Sequence, residues 1–205
     1  MNKKLTAAAT AGLLVASGGF MSQAMAEQGF SYDYVEGGIG LQDGFGEDLV
    51  GPFVNGSMSF DEMFAVVNFS YLTDDTDLMN FSAGTGYRFG ITPELDVYGT
   101  FTVEYTDLEQ EISITDPLTG ETHTATYEDD DFGFGIAGGA RYALTNDMEL
   151  AGELKFLDTI DDRLDLTISY LYGVTPEIDV LAEAKIMDFA DEDEFGSYLG
   201  ARYHF

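Results

Sequence analysis

The sequence contains no cysteine, and this absence limits how the chain can be stabilised. Without cysteine the protein has neither a disulfide framework nor thiolate chemistry, so its stability must come from an apolar core or from a membrane. Long apolar runs are also missing, because no stretch after residue 26 approaches the roughly 18 consecutive apolar residues that a membrane-spanning helix needs. A transmembrane helix is therefore not expected after residue 26.

Basic residues are scarce, with 8 Lys and Arg against 38 Asp and Glu and a formal net charge of −30. This excess of acid argues against nucleic-acid binding and against unassisted binding to anionic lipid headgroups. The chain is nevertheless 45% hydrophobic and 14% aromatic, unlike a disordered acidic tail. Its apolar residues must therefore follow a structural pattern.

The first 26 residues have the pattern of a secretory signal peptide. Two lysines at positions 3 and 4 precede an apolar run that ends near Phe20, and Ala24-Met25-Ala26 fits a cleavage site before Glu27. The alternative is a transmembrane anchor, but the run is short and contains small polar residues. We expect residues 1–26 to be removed and residues 27–205 to form one domain.

After this segment, apolar and polar residues alternate with a period of two. The pattern is clear in residues 95–105, 148–156 and 178–186, where every second residue is apolar. Such alternation predicts strands with one apolar face and one polar face. Ten strands are predicted, over residues 29–41, 49–60, 63–72, 78–90, 95–107, 131–143, 148–158, 164–173, 178–188 and 195–205.

The connections between these strands are of two kinds. A phrase such as "YRFGITPELDVYG" or "YLYGVTPEIDVLA" places a threonine before a two-residue reversal, whereas the other connections are longer and acidic. Short turns at one end, longer loops at the other and an even strand number predict an all-β antiparallel transmembrane barrel of ten strands, with eight as the alternative. A soluble lipocalin-like barrel with its apolar face inward is the other interpretation.

If the apolar face points outward, most basic residues of the strands point into the lumen, while Arg163 is placed in a loop. A charge facing lipid at mid-depth costs about 2–4 kcal/mol, so inward placement is expected. If paired, these charges form a polar plug; if unpaired, they could line a narrow conduction path. The predicted lumen charge network consists of Glu36, Arg88, Glu104, Arg141, Glu153, Lys155, Glu183, Lys185 and Arg202.

The longer connections are dense in carboxylates, as in residues 42–48, 73–77 and 188–194. Such loops could associate weakly with Ca²⁺ or Mg²⁺ and bridge to the phosphates of lipopolysaccharide. No loop has the ordered ligand spacing of a high-affinity calcium motif, so no cofactor and no metal site are predicted. The alternative is a solvated anionic surface.

The longest connection, residues 107–131, contains the reversal "DPLTG" between two alternating arms. This pattern predicts that two strands continue past the membrane as a projecting ribbon. The ribbon could fold over the barrel mouth, which we favour, or present an edge to a partner strand.

The acid/base inventory gives little support for catalysis. The two histidines are His123, which follows Glu121 by two residues, and His204, which lies beside the chain end. Neither is paired with a nucleophile at a suggestive spacing, so no catalytic residues are assigned and the protein is not expected to be an enzyme.

The opening strand "YVEGGIGL", the repeated strand–turn–strand phrase and the closing "YLGARYHF" resemble the small outer-membrane β-barrel family of the OmpA barrel domain and the OmpX/Ail-like proteins. The resemblance implies a monomer in the outer membrane of a Gram-negative bacterium, in contact with outer-membrane lipid and lipopolysaccharide. It also implies that the barrel assembly machinery reads Tyr203 and Phe205. The expected function is that of a non-enzymatic surface protein contributing to envelope integrity or to loop-mediated contacts. The alternative is a narrow channel for small solutes or ions.

Overall fold

The computed structural model describes residues 30–44, 47–115, 122–160, 162–187 and 194–205. The predicted signal peptide lies outside these ranges. Within them, no helix is long and apolar enough to cross a membrane. The strands are β1 (Tyr34–Gly44), β2 (Glu47–Phe60), β3 (Met63–Thr73), β4 (Thr76–Thr92), β5 (Leu95–Thr115), β6 (Thr122–Thr145), β7 (Met148–Asp158), β8 (Asp162–Gly173), β9 (Ile178–Met187) and β10 (Glu194–His204).

The ten strands form a closed antiparallel barrel. Each strand pairs with its neighbours in sequence, and β1 closes the barrel by pairing with β10, for example Val35 with Tyr203 and Ile39 with Leu199. Closure satisfies the backbone groups that an open sheet would leave unpaired in hydrocarbon. The prediction of ten strands is confirmed, and the eight-strand alternative is wrong.

The two faces of the wall differ in the way that the alternation predicts. Apolar side chains such as Leu199 (66% exposed) and Val103 (55%) point outward, whereas Glu36 and Arg202 are buried inside. The lipocalin-like interpretation is wrong, because it requires the apolar face to point into the lumen. Lipid-facing apolar residues around a polar interior are the arrangement of a membrane barrel.

The tight turns explain the repeated threonine phrase. The backbone N–H of Glu94 donates to Oγ1 of Thr92 at 3.2 Å, and the N–H of Glu177 donates to Oγ1 of Thr175 at 3.3 Å. In both turns the threonine hydroxyl accepts a hydrogen bond from the backbone N–H two residues later, and this side-chain contact stabilises the reversal of the chain. The phrase therefore encodes the turns of one barrel end, which we call the turn end; the opposite end is the loop end.

Several strand bounds differ from the prediction, and two of the differences concern residues of the lumen. Strand β1 begins at Tyr34 rather than at residue 29, because residues 30–33 leave the wall and enter the lumen. Arg163 lies in β8 and not in a loop, since β8 begins at Asp162. Both errors arise at strand ends, where the alternation is the same whether a residue belongs to the wall or not.

Candidate functional site

The lumen is the candidate functional site, and its turn end is filled by the start of the described chain. Phe30 and Tyr32 are buried there against Phe64 of β3. The ring centroids of Tyr32 and Phe64 are 4.6 Å apart, and those of Tyr32 and Tyr98 are 6.3 Å apart. We call residues 30–33 the N-terminal plug.

Two arginines hold the plug by both its rings and its backbone. The Arg141 guanidinium lies 5.0 Å from the Phe30 ring centroid and 4.7 Å from that of Tyr32, and it donates to the Ser31 carbonyl at 2.8 Å. Arg88 lies over Tyr32 at 5.3 Å and donates to the Phe30 carbonyl at 3.1 Å. Cation–π contacts strengthen when they are removed from water, as they are here.

The wall adds a further anchor for the plug at Asp33. The backbone N–H of Ser59 donates to Asp33 Oδ1 at 2.7 Å, and the Ser59 hydroxyl donates to Oδ2 at 2.8 Å. The N–H of Phe205 donates to the Asp33 carbonyl at 3.3 Å. The plug is thus fixed where it leaves the wall, which directs Phe30 and Tyr32 inward.

Above the plug, two ion pairs join neighbouring strands, and one of them lies at the seam between β1 and β10. Arg141 donates to both carboxylate oxygens of Glu149, at 2.7 and 2.9 Å. Arg202 contacts Glu36 at 2.8 Å through Nε and through Nη2, and its guanidinium lies 4.0 Å from the Tyr34 ring centroid. Bidentate Arg–carboxylate pairs are strong and geometrically specific. This network ties β10 to β1 and β6 to β7.

Two glutamates in the middle of the lumen have neutral partners instead. The Tyr98 hydroxyl donates to Glu153 at 3.0 Å, and the Ser169 hydroxyl donates to Glu183 at 2.8 Å. Among the described residues neither glutamate has an ion-pair partner. Both carboxyl groups are therefore held by hydroxyl donors rather than by cations.

A second ion network lies toward the loop end. Lys155 Nζ is 2.7 Å from Glu104, which also accepts a hydrogen bond from the Thr102 hydroxyl. Asp165, 1% exposed, lies between Lys185 at 2.9 Å and Arg163 at 3.2 Å. A carboxylate this deeply buried is tolerated because two cations and further polar contacts surround it.

The mouth at the loop end is partly covered by apolar side chains. Leu49, Leu72, Leu78 and Leu108 form a buried cluster on β2–β5, and Ile160, from the connection between β7 and β8, packs against it. Between this leucine cluster and the N-terminal plug lies a cavity of about 270 Å³. Its lining includes both ion networks and the two central glutamates.

The structure places all nine residues of the predicted charge network on the lumen side of the wall. It brings Glu36 to Arg202, Glu104 to Lys155 and Lys185 to Asp165, whereas Arg88 binds the plug. The sequence patterns predict neither the N-terminal plug nor the contacts of Asp165 with Arg163 and Lys185. Asp165 lies on the polar face of the predicted strand 164–173, but the prediction that Arg163 lies in a loop separated the two partners.

The predicted assembly residues lie at the turn end on the outer face, with Tyr203 and Phe205 about half exposed. Next to them, His204 Nε2 is 2.7 Å from Asp179. The described part of the chain contains no group of three or more His, Cys, Asp or Glu residues arranged to hold a metal ion. The side chain of His123 lies outside what the structure describes.

The loop-end rim carries carboxyl pairs that face each other across hairpins. Asp43 is paired in register with Asp48, and Asp158 with Asp162. A hydrogen bond shared with Asp48, together with desolvation and the negative charge of Asp48, raises the pKa of Asp43. Desolvation and the negative charge of Asp162 raise the pKa of Asp158. Asp43 and Asp158 therefore hold a proton more tightly than isolated carboxylates do.

Comparison with known proteins agrees with this architecture. A family model described as the outer membrane protein beta-barrel domain matches residues 12–205. Solved structures similar to this chain include the KdgM porin in complex with disordered oligogalacturonate, at 12% identity and a TM-score of 0.48, with 84% of this chain and 99% of that chain covered.

Two further structures extend the comparison. The NanC porin is 13% identical with a TM-score of 0.48, covering 84% of this chain and 99% of its own. Ail, the attachment invasion locus protein of Yersinia pestis, is 11% identical with a TM-score of 0.40, covering 84% and 97% respectively. A search of curated protein sequences finds no match.

Proposed function

The chain belongs to the outer-membrane protein β-barrel domain family and resides in the outer membrane of a Gram-negative bacterium, and from its lumen we propose that it is a closed, non-enzymatic surface protein. In this role the barrel anchors acidic loops at the cell surface and contributes to envelope integrity or to contacts with other molecules. The turn end faces the periplasm and the loop end faces outward, as in other outer-membrane barrels.

The observation that carries this proposal is the closure of the lumen by the N-terminal plug. Phe30 and Tyr32 occupy the periplasmic mouth, and two arginines bind them through rings and carbonyl groups. Ion pairs between neighbouring strands line the wall above the plug, and Arg202 of β10 reaches to 4.0 Å from Glu149 of β7 across the lumen. A lumen filled in this way favours a structural interior over an open path, because conduction requires hydrated groups and a continuous route.

A narrow channel is the second candidate, and the cavity of about 270 Å³ favours it. Its lining includes Glu153 and Glu183, which have hydroxyl rather than cationic partners. If the plug left the mouth, these carboxylates would line the exposed path and favour cations.

Planar-bilayer recordings distinguish the two functions. The refolded protein should give no steady single-channel steps, whereas salt-dependent steps from the unaltered protein would overturn the closed-barrel proposal. The double variant Phe30→Ala/Tyr32→Ala tests whether the plug is the barrier, with the outward-facing Phe101→Ala as the matched control. If only the plug variant gives single-channel steps, the plug closes the lumen. If neither variant gives steps, the ion networks contribute to the closure as well.

The same proposal includes the contacts expected of an outer-membrane protein. We propose that the chain is secreted by cleavage before Glu27, that the assembly machinery reads Tyr203 and Phe205, and that the barrel is a monomer surrounded by lipopolysaccharide and lipid. Weak Ca²⁺ or Mg²⁺ association with the acidic rim would reduce its repulsion from lipopolysaccharide phosphates.

A further inference from the structure

Strands β5 and β6 extend beyond the rest of the barrel as a two-stranded ribbon. Their mutual pairing continues to Thr115 and Thr122, but β4 pairs with β5 only as far as Gln110. On the other side, β7 pairs with β6 only as far as Phe134. Within the described ranges, residues 125–132 of β6 thus have a strand neighbour on the β5 side only, and we call this stretch the β6 edge.

The β6 edge is exposed on both faces. Ala125, Thr126, Tyr127 and Glu128 are consecutive exposed residues, so side chains of either parity point into solvent. At the base of the edge Phe132 is 72% exposed. The expectation that the ribbon folds over the mouth is wrong for this part, because folding over would have buried one of its faces.

An exposed strand edge offers backbone N–H and C=O groups as a template for another strand. At about 3.3 Å per residue, the β6 edge is roughly 25 Å long, enough for a peptide of several residues. Proteins usually shorten, cover or charge such edges to prevent uncontrolled pairing. This edge is charged, and the sign of its charge restricts its partner.

The charges of the edge are all negative. Residues 128–131 are Glu-Asp-Asp-Asp, so two carboxylates lie on each face, and Glu109 of β5 pairs in register with Glu128. A second copy of the chain would bring the same carboxylates to the interface, and like charges directly opposite one another are destabilising. An extended segment rich in Lys and Arg would place opposite charges there instead.

We propose that the β6 edge binds an extended cationic peptide segment of another protein, which adds to the ribbon as a further strand. Backbone pairing along residues 125–131 supplies the alignment, since the Phe132 N–H already donates to Asp131 Oδ1 at 2.9 Å. The carboxylates of residues 128–131 select for basic side chains on both faces. Phe132, beside Tyr105 at a centroid distance of 4.6 Å, gives an apolar contact at the base. This interaction is independent of whether the lumen conducts.

The test uses the full mature protein in nanodiscs of phosphatidylcholine, which carries no net charge, and a synthetic peptide with the repeat Lys-Lys-Val-Val, which places lysines on both faces of an added strand. A second peptide has the same sequence but is N-methylated at every residue, so it keeps the charge and loses the backbone donors of both strand edges. The first peptide should bind and slow amide hydrogen exchange in residues 125–131, and the N-methylated peptide should bind roughly tenfold more weakly. Equal binding of both peptides would overturn strand addition.

Paired variants test whether the local carboxylates provide the selectivity. Asp129→Asn/Asp131→Asn should weaken peptide binding roughly threefold to tenfold, since exposed ion pairs each contribute modestly. Asp43→Asn/Asp48→Asn removes the same number of carboxylates from another hairpin and should leave the affinity unchanged. Equal losses in both variants would show attraction to the whole acidic surface and would overturn the proposal. Self-association of the protein without peptide would also overturn it, because it would identify a second copy as the partner.

Discussion

The lumen at the turn end and the rim at the loop end treat carboxylates in opposite ways. In the lumen at the turn end, Glu36 is buried, Glu149 is largely buried, and each contacts an arginine. At the loop end, Asp43 faces Asp48 across a hairpin, and carboxylates crowd the ribbon. The first arrangement satisfies charge inside the protein, whereas the second leaves negative charge at the surface.

This difference indicates where stability and interaction reside. Buried charges must keep their partners, because an unpaired charge in the interior is costly. Exposed carboxylates lose little when a neighbour is removed, but they remain available to cations and basic partners. Substitutions at the turn end should therefore affect unfolding most, and the expected effects decrease toward the loop end.

Arg141→Ala should have the largest effect, because it removes the partner of buried Glu149 and two contacts to the plug together. Breaking a buried ion pair from one side costs roughly 3–5 kcal/mol. The free energy of unfolding, measured by urea titration in lipid vesicles with the heat-modifiable gel shift as readout, should fall by this amount. Arg141→Lys should recover part of it, and a fully stable Arg141→Ala variant would contradict the account of the turn end.

Lys155→Ala at the other ion network should have a smaller effect. It leaves Glu104 without its cation, but Thr102 still donates to that carboxylate. The contacts of Arg141 to the plug are kept. A loss of about 1–3 kcal/mol is expected from an unsatisfied buried acceptor. The same urea titration compares the two variants. If Lys155→Ala lowered the free energy of unfolding as much as Arg141→Ala, the proposed decrease in effect from the turn end to the loop end would be wrong.

Tyr32→Ala should release the plug while costing the barrel little. Residues 30–33 are outside the wall strands, so the loss is limited to undocking and should be about 1–2 kcal/mol, equivalent to roughly tenfold more frequent opening. Because the chain lacks cysteine, Ser57→Cys provides a single buried thiol on the lumen side of β2, near the plug. Its labelling by a charged thiol reagent should accelerate about tenfold in the Tyr32→Ala background.

The control for this experiment is Thr76→Cys, which places a buried thiol at the loop end, outside the lining of the cavity. Its labelling rate should not respond to Tyr32→Ala. If both thiols became reactive together, the substitution would have loosened the whole barrel rather than the plug.

The wall of this barrel could be predicted from the sequence because its signals are local. Alternation fixes which residues face lipid, and the Thr-x-Glu phrase fixes the turns through a hydrogen bond over two residues. The contacts inside the lumen, by contrast, join residues that are far apart in the sequence. Lys155 meets Glu104 across three strands, and this contact depends on the registers of all of them.

The plug shows the same limit at one strand end. Phe30, Tyr32 and Tyr34 alternate with polar residues as a strand does, so the sequence predicts a longer β1. In the structure the wall begins at Tyr34, because the space beside Phe64 and the two arginines accepts the earlier rings. Only the assembled lumen creates that space, and no local pattern encodes it.

The smallest expected effect concerns protons at the loop-end rim. The pKa of Asp43 is raised in the folded protein, since it shares a hydrogen bond with Asp48 and lies beside its charge. A raised acid pKa means that the folded state binds the proton more tightly than the unfolded chain. This contribution is present in full below the unfolded pKa of about 3.9 and is lost as the pH rises through the folded pKa.

Asp43→Asn should therefore remove a small stabilisation that the unaltered protein gains on acidification from neutral pH, and Asp48→Asn should do the same. The double variant should add nothing beyond either single change, because one proton shared by one pair is involved. Urea midpoints recorded across the acidic range would measure the difference. If the effects of the two single variants were additive, Asp43 and Asp48 would titrate independently. The contrast between paired carboxylates at the turn end and opposed carboxylates at the loop end would then not apply to this hairpin.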